Sequence, residues 1–390
     1  SLQLSINYFP PPRQVRVMIV AFCLYKYFPF GGLQRDFMRI AQTVAARGHH
    51  VRLYPVVGRR MPDVFELIKV PVKSHTNHGR NAEYFAWVQK HLREHPVDRV
   101  VGFNKMPGLD VYYAADVCYA EKVAQEKGFF YRLTSRYRHY AAFERATFEQ
   151  GKPTQLLMLT DKQIADFQKH YQTEAERFHI LPPGIYPDRK YSQQPANSRE
   201  IFRKKNGITE QQYLLLQVGS DFTRKGVDRS IEALASLPDS LRHNTLLYVV
   251  GQDKPRKFEA LAEKRGVRSN VHFFSGRNDV SELMAAADLL LHPAYQEAAG
   301  IVLLEAITAG LPVLTTAVCG YAHYIVDANC GEAIAEPFRQ ETLNEILRKA
   351  LTQSSLRQAW AENARHYADT QDLYSLPEKA ADIITGGLDG

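Results

Sequence analysis

Late in its length the chain reads Glu297-Ala298-Ala299-Gly300-Ile301-Val302-Leu303-Leu304-Glu305, with two carboxylates eight residues apart around a small-residue turn. Glu305 is predicted to open a helix that stops at Gly310, and residues 313–315 are predicted to form a buried strand. Backbone N–H groups at a helix start attract an anion, and flanking carboxylates can hold sugar or ribose hydroxyls. The stretch therefore indicates a site for a sugar nucleotide.

The size and composition of the chain favour a two-domain protein with an anionic partner. Its 390 residues exceed one ordinary core, and no segment approaches the roughly 20 apolar residues of a membrane helix. The net charge of +7 suits phosphate-bearing substrates, nucleic acid or anionic lipid. Four cysteines without a Cys-x-x-Cys pair favour a reducing, cytoplasmic location. Residues 1–16 are expected to form an extended arm, native or added, outside the fold.

Strand and helix patterns alternate along both halves of the chain. A proline-rich stretch from Leu181 to Pro187 interrupts the alternation and is the predicted domain boundary. We therefore predict an α/β fold of two doubly wound, Rossmann-like domains facing each other across a cleft, over residues 17–184 and 185–372. A helix within residues 373–390 is expected to return to the first domain. The predicted strands are 17–24, 51–54, 99–104, 155–160, 213–218, 246–250, 271–274, 289–291 and 313–315. The predicted helices are 33–47, 84–95, 162–170, 227–237, 257–265, 280–287, 342–351, 356–367 and 377–384.

Two further loops lie where a predicted strand meets a predicted helix. Gly31-Gly32 follows the first strand, and its glycines would allow a ligand to approach the backbone. The loop 219–226 holds adjacent cations, Arg224 and Lys225, which could neutralise a leaving phosphate. Alone, the first could be an ordinary tight turn and the second a solvated charge pair. A Walker loop is excluded because the Gly-Lys-Ser/Thr ending is absent from this loop.

Together these motifs resemble those of the retaining, metal-independent GT-B glycosyltransferases of family 4. That family carries a Gly-Gly loop, an Arg–Lys pair before a helix and a Glu-x7-Glu signature, here Gly31-Gly32, Arg224/Lys225 and Glu297/Glu305. The linker at 181–185 also matches, and the resemblance covers nearly the whole chain from about Arg16 onward. Within the family, residues 22–32 and 102–108 resemble the enzymes that build the lipopolysaccharide core, whereas residues 55–62 depart from them.

The resemblance implies a role for each matching residue. The Gly31-Gly32 backbone would lie near the donor diphosphate, and the Arg224/Lys225 cations would bind it and stabilise the leaving UDP. Glu297 would hold donor sugar hydroxyls, Glu305 would hold the ribose, and Gly276-Arg277 would lie beside the uracil. The implied catalytic residues are Arg224, Lys225, Glu297, Asp36 and Asp116. The implied donor-binding residues are Gly31, Gly32, Arg224, Lys225, Gly276, Arg277, Glu297, Ala299, Gly300, Ile301, Val302, Leu303 and Glu305.

The implied reaction is transfer of α-glucose from UDP-glucose to an inner-core heptose of a lipopolysaccharide precursor, with retention. Asp36 and Asp116 would face the sugars, and a helix-capping or surface role is the alternative for each. An Asp-x-Asp motif is absent from the sequence, so cations and helix N-termini would replace a metal, and no cofactor is expected. The alternative functions are a GT-B transferase with another donor or acceptor, a sugar-nucleotide epimerase, and a non-enzymatic membrane-associated scaffold.

A basic and aromatic segment runs from Lys127 to Tyr140 without an acidic residue. Tyrosines with arginines suit the boundary between lipid headgroups and acyl chains, so peripheral binding to an anionic membrane surface is predicted, on the cytoplasmic face of the inner membrane. The alternative is an amphipathic helix whose aromatic residues pack on the domain. Nucleic acid is disfavoured because no recognised motif accompanies the segment. The residues predicted to touch the membrane are Lys127, Phe129, Phe130, Tyr131, Arg132, Arg136, Tyr137, Arg138 and Tyr140.

Overall fold

The apolar runs form two sheets in a computed structural model, which describes residues 16–25, 32–56 and 61–386. The strands within these residues are β1 (Ile19–Leu24), β2 (His50–Pro55), β3 (Glu66–Leu67), β4 (Arg99–Gly102), β5 (Val111–Tyr113), β6 (Gln155–Met158), β7 (Phe178–Ile180), β8 (Tyr213–Val218), β9 (Thr245–Val250), β10 (Val271–Phe274), β11 (Leu289–His292), β12 (Val313–Thr316) and β13 (Gly331–Ile334).

The helices pack around these strands. They are α1 (Gly32–Ala46), α2 (Asn77–Glu94), α3 (Tyr119–Glu126), α4 (Ser135–Phe148), α5 (Asp161–Tyr171), α6 (Ser198–Lys205), α7 (Phe222–Lys225), α8 (Val227–Ala235), α9 (Asp239–His243), α10 (Arg256–Lys264), α11 (Val280–Ala286), α12 (Ile301–Ala309), α13 (Ala322–Ala328), α14 (Gln340–Thr352), α15 (Ser354–Thr370) and α16 (Leu376–Thr385).

The first sheet has the strand order β3-β2-β1-β4-β5-β6-β7. β1 pairs in parallel with β2 on one side and β4 on the other, so that Val20 lies between Val51 and Arg99. Residues 20–24 of β1 are buried, which explains why this strand is a continuous apolar run rather than an alternating one. The direction in which the strand order grows reverses between β1 and β4, and such a switch point is where doubly wound sheets bind ligands.

The second sheet has the order β10-β9-β8-β11-β12-β13, and all its neighbouring strands are parallel. Leu214 and Leu216 of β8 pack into one apolar cluster, whereas Leu215 between them packs into a second cluster. Successive strand residues point to opposite faces, so helices cover both faces of this sheet. Its switch point lies between β8 and β11.

The chain divides into two compact units, and the predicted α/β class is confirmed in both. The first unit comprises the described residues through Met158, Asp166–His179 and residues 377–386. The second unit comprises Leu159–Ala165 and Ile180–Leu376. The assignment of acceptor and donor binding to separate domains, over residues 17–184 and 185–372, stays a prediction.

Several predicted elements need correction. The prediction that Glu305 opens a helix is wrong: α12 begins at Ile301, directly after Gly300 in the left-handed conformation, so Glu305 lies in the second turn. The helix predicted from residue 84 begins at Asn77, where the Thr76 hydroxyl accepts a hydrogen bond from the backbone. The three-residue β5 was not predicted, because so short a run carries little periodicity.

The segment 127–140 is not one amphipathic helix. Residues Phe129–Leu133 form a 3-10 helix, and Thr134 then caps α4 by accepting a hydrogen bond from the Tyr137 N–H at 3.2 Å. The side chains of Phe129 and Phe130 are 72% and 79% exposed, so they do not pack on the unit. Among the described residues, no helix is both long enough and apolar enough to cross a membrane.

Candidate active site

The candidate site lies at the carboxyl edge of the second sheet. Because its strands are parallel, the loops that follow them meet at this edge. The loop after β8 and the loop after β11 flank the switch point, since these strands are neighbours in the sheet. The predicted donor motifs at 219–226 and 297–305 begin in these two loops and continue into α7 and α12.

Backbone geometry brings the loop after β8 against the loop after β11. Asp221 adopts the left-handed conformation (φ 61°) and caps α7, accepting a hydrogen bond from the Arg224 N–H at 3.2 Å. Gly226 is also left-handed (φ 79°), and a Cβ at this position would lie 2.1 Å from the Pro293 carbonyl oxygen. The close approach therefore requires glycine at 226. It places both cations at the end of α7 beside Glu297.

Arg224, Lys225 and Glu297 form one ion-pair cluster. The Lys225 ammonium contacts the Glu297 Oε2 atom, and the side chains are only 14% and 11% exposed. The Arg224 guanidinium lies 3.7 Å from the other carboxylate oxygen and also contacts Asp221 at 3.0 Å. Arg224 keeps 40% of its side chain exposed, so it can still reach an anion from solvent. The predicted grouping of these three residues is what the structure contains.

His292, which the sequence analysis gave no role, belongs to the same cluster. Its imidazole is buried at the end of β11, and the Nε2 atom lies 3.2 Å from Glu297 Oε2. The Cys319 thiol interacts with the same ring. The available sequence signal is a histidine that ends the apolar run Leu289-Leu290-Leu291, five residues before Glu297.

Electrostatics keep the Glu297 carboxylate ionised. Burial raises the pKa of this group, but the hydrogen bond with His292 and the charge of Lys225 outweigh burial and hold the pKa at about 2. Burial lowers the pKa of His292, whereas its contacts with Cys319 and Glu297 raise it, with a net rise. The cluster therefore holds an ionised carboxylate beside the side chains of Arg224 and Lys225.

The turn between Glu297 and α12 is held by the loop that follows β12. The Gly320 N–H donates to the Glu297 carbonyl at 3.3 Å, and the Tyr321 N–H donates to the Ala299 carbonyl at 2.8 Å. A Cβ at Gly320 would lie 2.1 Å from the Ala298 carbonyl oxygen. Gly300, with φ 94°, then starts α12. The first-turn N–H groups of α12 consequently lie at the same sheet edge, where they form a positive helix end.

The loops after β9 and β10 complete this edge. The backbone N–H of Gln252 donates to the Ser220 hydroxyl at 3.2 Å. A Cβ at Gly276 would lie 3.1 Å from the side-chain amide nitrogen of Gln252. Arg277 forms a two-point ion pair with Asp279, at 2.7 and 2.6 Å. Its guanidinium also lies 4.7 Å from the centre of the Phe274 ring. A charged plane held this firmly can support a flat heterocycle by stacking.

The other predicted site residues lie in the first unit. Gly31 is outside the described residues, and Gly32 is the first residue of α1. Asp36 lies within α1 and accepts a hydrogen bond from the Tyr113 hydroxyl at 2.6 Å; burial raises its pKa. It is therefore neither a helix cap nor a fully exposed surface residue. Asp116 is exposed and lines a cavity described below.

Two doubly wound units, one with a cation–carboxylate cluster at its switch point, define the GT-B class of glycosyltransferases. The family model "Glycosyl transferases group 1" matches residues 198–367. The lipopolysaccharide glucosyltransferase WaaG of Escherichia coli (strain K12) is 88% identical over 374 residues, which cover 96% of this chain and 100% of the relative. The chain therefore belongs to the group 1 glycosyltransferases, and it is a glycosyltransferase enzyme.

Two solved structures resemble the chain over nearly its full length. A crystal structure of WaaG, a glycosyltransferase involved in lipopolysaccharide biosynthesis, has a TM-score of 0.88 at 88% identity, and covers 94% of this chain and 100% of that chain. The Anabaena protein Alr3699/HepE in complex with UDP and glucose has a TM-score of 0.71 at 17% identity, with 95% and 100% covered. The second likeness shows the fold alone.

Proposed function

We propose that the chain transfers α-glucose from UDP-glucose to an inner-core heptose of a lipopolysaccharide precursor, with retention of configuration and without a metal ion. The observation that carries this proposal is the Arg224–Lys225–Glu297 cluster at the switch point of the second sheet, in a chain 88% identical to a lipopolysaccharide glucosyltransferase. The UDP and glucose held by the Anabaena protein of the same fold support a UDP-linked donor.

The second unit binds the donor. Lys225 is tethered to Glu297 and offers the diphosphate a positive charge in a fixed position. Arg224 is partly exposed, so the position of its positive charge can adjust to the ligand. Glu297 accepts hydrogen bonds from donor sugar hydroxyls, and Glu305 accepts them from the ribose. The first turn of α12 and the residues 299–303 supply backbone support. Gly276 and Arg277 lie beside the uracil.

Charge separation at the donor is the step that the cluster stabilises. As the bond between sugar C1 and the phosphate oxygen breaks, negative charge grows on the diphosphate, and the cations Arg224 and Lys225 stabilise it. The acceptor hydroxyl forms the new bond to C1 on the same face, and its proton passes to the departing phosphate oxygen. Glu297 is a poor covalent nucleophile for this step, since its carboxylate is already bound by Lys225 and His292. Asp36 and Asp116 are assigned to the sugar-facing surface of the first unit.

The first unit carries the acceptor and touches an anionic membrane surface. Phe129, Phe130 and Leu133 are 72%, 79% and 56% exposed, and the basic side chains of the same segment are exposed as well. Exposed apolar side chains in a segment with exposed cations favour peripheral binding to anionic lipid. The four cysteines are free and buried, which suits the reducing cytoplasmic face of the inner membrane.

The test is incubation of the enzyme with truncated lipopolysaccharide that ends at heptose, with UDP-glucose, UDP-galactose or GDP-mannose in parallel reactions. A mass increase of one hexose with UDP-glucose alone, and an α-linkage by NMR, are expected. Transfer only from another donor would replace the donor assignment, and isomerisation of the sugar nucleotide without transfer would favour an epimerase. Activity abolished by EDTA and restored by a divalent cation would contradict the metal-free mechanism.

A further inference from the structure

The first unit contains a cavity of about 580 Å³ that the donor site does not use. Its walls are formed largely by the residues that follow β4, by α3, and by residues just before and within α4. The basic residues that line it are Lys105, Lys122, Lys127 and Arg136. The aromatic residues that line it are Tyr25, Tyr119, Tyr131, Tyr140 and Phe143. Cations and aromatic rings thus line one concave, half-open pocket instead of a flat surface.

A buried carboxylate organises this cavity. Glu144 is completely buried and lies 2.7 Å from the Lys105 ammonium. It also accepts hydrogen bonds from the Tyr119 and Ala120 N–H groups, at 2.7 and 2.9 Å, and so fixes the start of α3. The Tyr171 hydroxyl donates to it at 2.5 Å. The wall that presents Tyr119 and Lys122 is therefore rigid, and the charge of Lys105 is already neutralised.

Three cations remain to meet a ligand. The Lys127 ammonium lies 5.4 Å from the centre of the Tyr131 ring, and the Arg136 guanidinium lies 5.2 Å from that of Tyr140, so the rings hold both near the cavity. Lys122 projects from α3. Two carboxylates, Asp116 and Glu126, line the same cavity. A bare anion would pair with the cations but offer these two carboxylates no hydrogen-bond donor, whereas a ligand with both hydroxyls and an acid group could pair with both kinds of side chain.

We propose that this cavity binds an acidic sugar, one that carries a carboxylate or a phosphate, as part of the glycan acceptor. The acid group binds Lys122, Lys127 and Arg136, the ring hydroxyls donate to Asp116 and Glu126, and the apolar ring faces stack on the tyrosines. The assignment deepens the proposed function, because it rests on the acceptor being a glycan. With this site, the first unit selects acceptors by their negative charge.

The cavity leaves out the most exposed aromatic residues predicted to touch the membrane, although Lys127, Tyr131, Arg136 and Tyr140 of that set line it. Phe129 and Phe130 are the most exposed large apolar side chains of the segment and do not line the cavity. Lys122 lines the cavity but lies outside the segment 127–140. Substitutions at these two places therefore separate sugar binding from vesicle binding.

The experiment measures binding to the full chain without UDP-sugar, by saturation-transfer NMR. The probes are glucuronic acid, glucose 6-phosphate, glucose and inorganic phosphate. We expect one or both acidic sugars to bind more tightly than glucose and than phosphate, and the better one identifies the acid group. Lys122→Ser should weaken that binding about tenfold, as for one lost charged hydrogen bond, and Lys122→Arg should retain most of it.

The matched control is the double variant Phe129→Ser/Phe130→Ser, which should keep acidic-sugar binding while losing sedimentation with anionic vesicles. Equal binding of glucose and the acidic sugars, equal binding of bare phosphate and glucose 6-phosphate, or unchanged binding by Lys122→Ser would each overturn the proposal. Because no transfer reaction is measured, a wrong assignment of the donor or of the acceptor hydroxyl would leave these results unaffected. An unchanged circular dichroism spectrum and thermal unfolding transition of Lys122→Ser would show that the variant is folded.

Discussion

The imidazole Nε2 of His292 lies 3.2 Å from the Glu297 Oε2 atom, the same oxygen that the Lys225 ammonium contacts. One carboxylate oxygen is thus held from two sides, by a buried ring in β11 and by a cation at the end of α7. Both partners keep the carboxylate ionised against its burial. The orientation and the charge of Glu297 therefore depend on a residue that need not touch any substrate.

His292→Asn should alter the pH dependence of transfer. Without the imidazole, one of the contacts that lower the pKa of Glu297 is lost, so burial raises this pKa above its value of about 2. The acidic limb of the kcat/KM profile should move to higher pH, and kcat/KM at neutral pH should fall about tenfold. His366→Asn, at an exposed position on α15, is the control. An unshifted acidic limb would show that His292 only fills space.

Lys225→Ala should lower kcat by roughly 10²–10³, because the leaving diphosphate loses one preorganised positive charge. Steady-state kinetics with UDP-glucose provide the measurement, and circular dichroism checks the fold. Lys264→Ala removes an exposed lysine on α10 and should leave turnover unchanged. Near-normal turnover of Lys225→Ala would reject leaving-group stabilisation by this residue.

Gly226→Ala should destabilise the second unit more than Gly207→Ala. Both glycines have positive φ, 79° and 68°, so each alanine carries about 1 kcal/mol of backbone strain. Only the Cβ at 226 meets a neighbour, the Pro293 carbonyl oxygen at 2.1 Å, whereas nothing lies within 4 Å at 207. Thermal unfolding should show a larger Tm decrease for Gly226→Ala, together with weaker UDP binding. Equal Tm decreases for the two variants would mean that the loop after β8 can move away from the loop after β11 without loss of stability.

Glu144→Gln should reduce the stability of the first unit, and more so at neutral pH than in acid. Burial raises the pKa of Glu144, but Lys105, Tyr171 and the Ala120 N–H lower it to a net value below the ordinary one. The ionised Glu144 therefore stabilises the folded state at pH values above its pKa in the unfolded chain, near 4.5. This stabilisation is lost as the pH falls through the lower pKa that Glu144 has in the folded state. Breaking a buried ion pair costs about 3–5 kcal/mol.

Urea unfolding of Glu144→Gln, followed from pH 7 to pH 3, is the measurement. The difference from the wild type should narrow as the pH falls, because protonation removes the wild-type pair as well. Glu94→Gln, at an exposed position on α2, should match the wild type at every pH. A difference that widens in acid would contradict the sign of this assignment.

The triple variant Arg132→Ser/Arg136→Ser/Arg138→Ser should weaken binding to anionic vesicles about a hundredfold, since each basic residue near the surface contributes about 1 kcal/mol. Co-sedimentation with vesicles that contain phosphatidylglycerol is the measurement. A charge-matched control replaces the exposed Lys254, Lys257 and Lys264 of the second unit by serine. Unchanged sedimentation of the folded arginine variant would remove the membrane assignment.

Sequence reasoning predicted the second sheet well because its strands are buried on both faces. β8 and β10 match the predicted bounds to the residue, as expected for apolar runs closed by turn residues. The Arg224, Lys225 and Glu297 grouping was also predicted, although only through the combined motifs. Local patterns missed the short strands β3, β5 and β7 and also β13 at the edge of the second sheet, because each adds few apolar residues to any period.

Other parts of the site depend on tertiary contacts that no local pattern encodes. Lys225 and Glu297 are 72 residues apart, and they meet only because β8 and β11 are neighbours in the sheet. His292 resembles an ordinary strand residue in sequence, and its role follows from the side chain that it faces. Glu305 was misplaced because the left-handed Gly300 starts α12 four residues earlier than the apolar pattern indicated.

The path of the chain between its two units sets limits on dissecting the protein. The chain crosses from one unit to the other after residues 158, 165, 179 and 376. A cut after residue 165 or 179 would leave each fragment without a piece of its own unit and carrying a piece of the other, and a cut after residue 158 or 376 would still divide the first unit between the fragments. Separate expression of the two halves is therefore expected to give insoluble fragments. Mixing two truncated chains should restore activity only if both chains contain the segments in which the chain passes between the units.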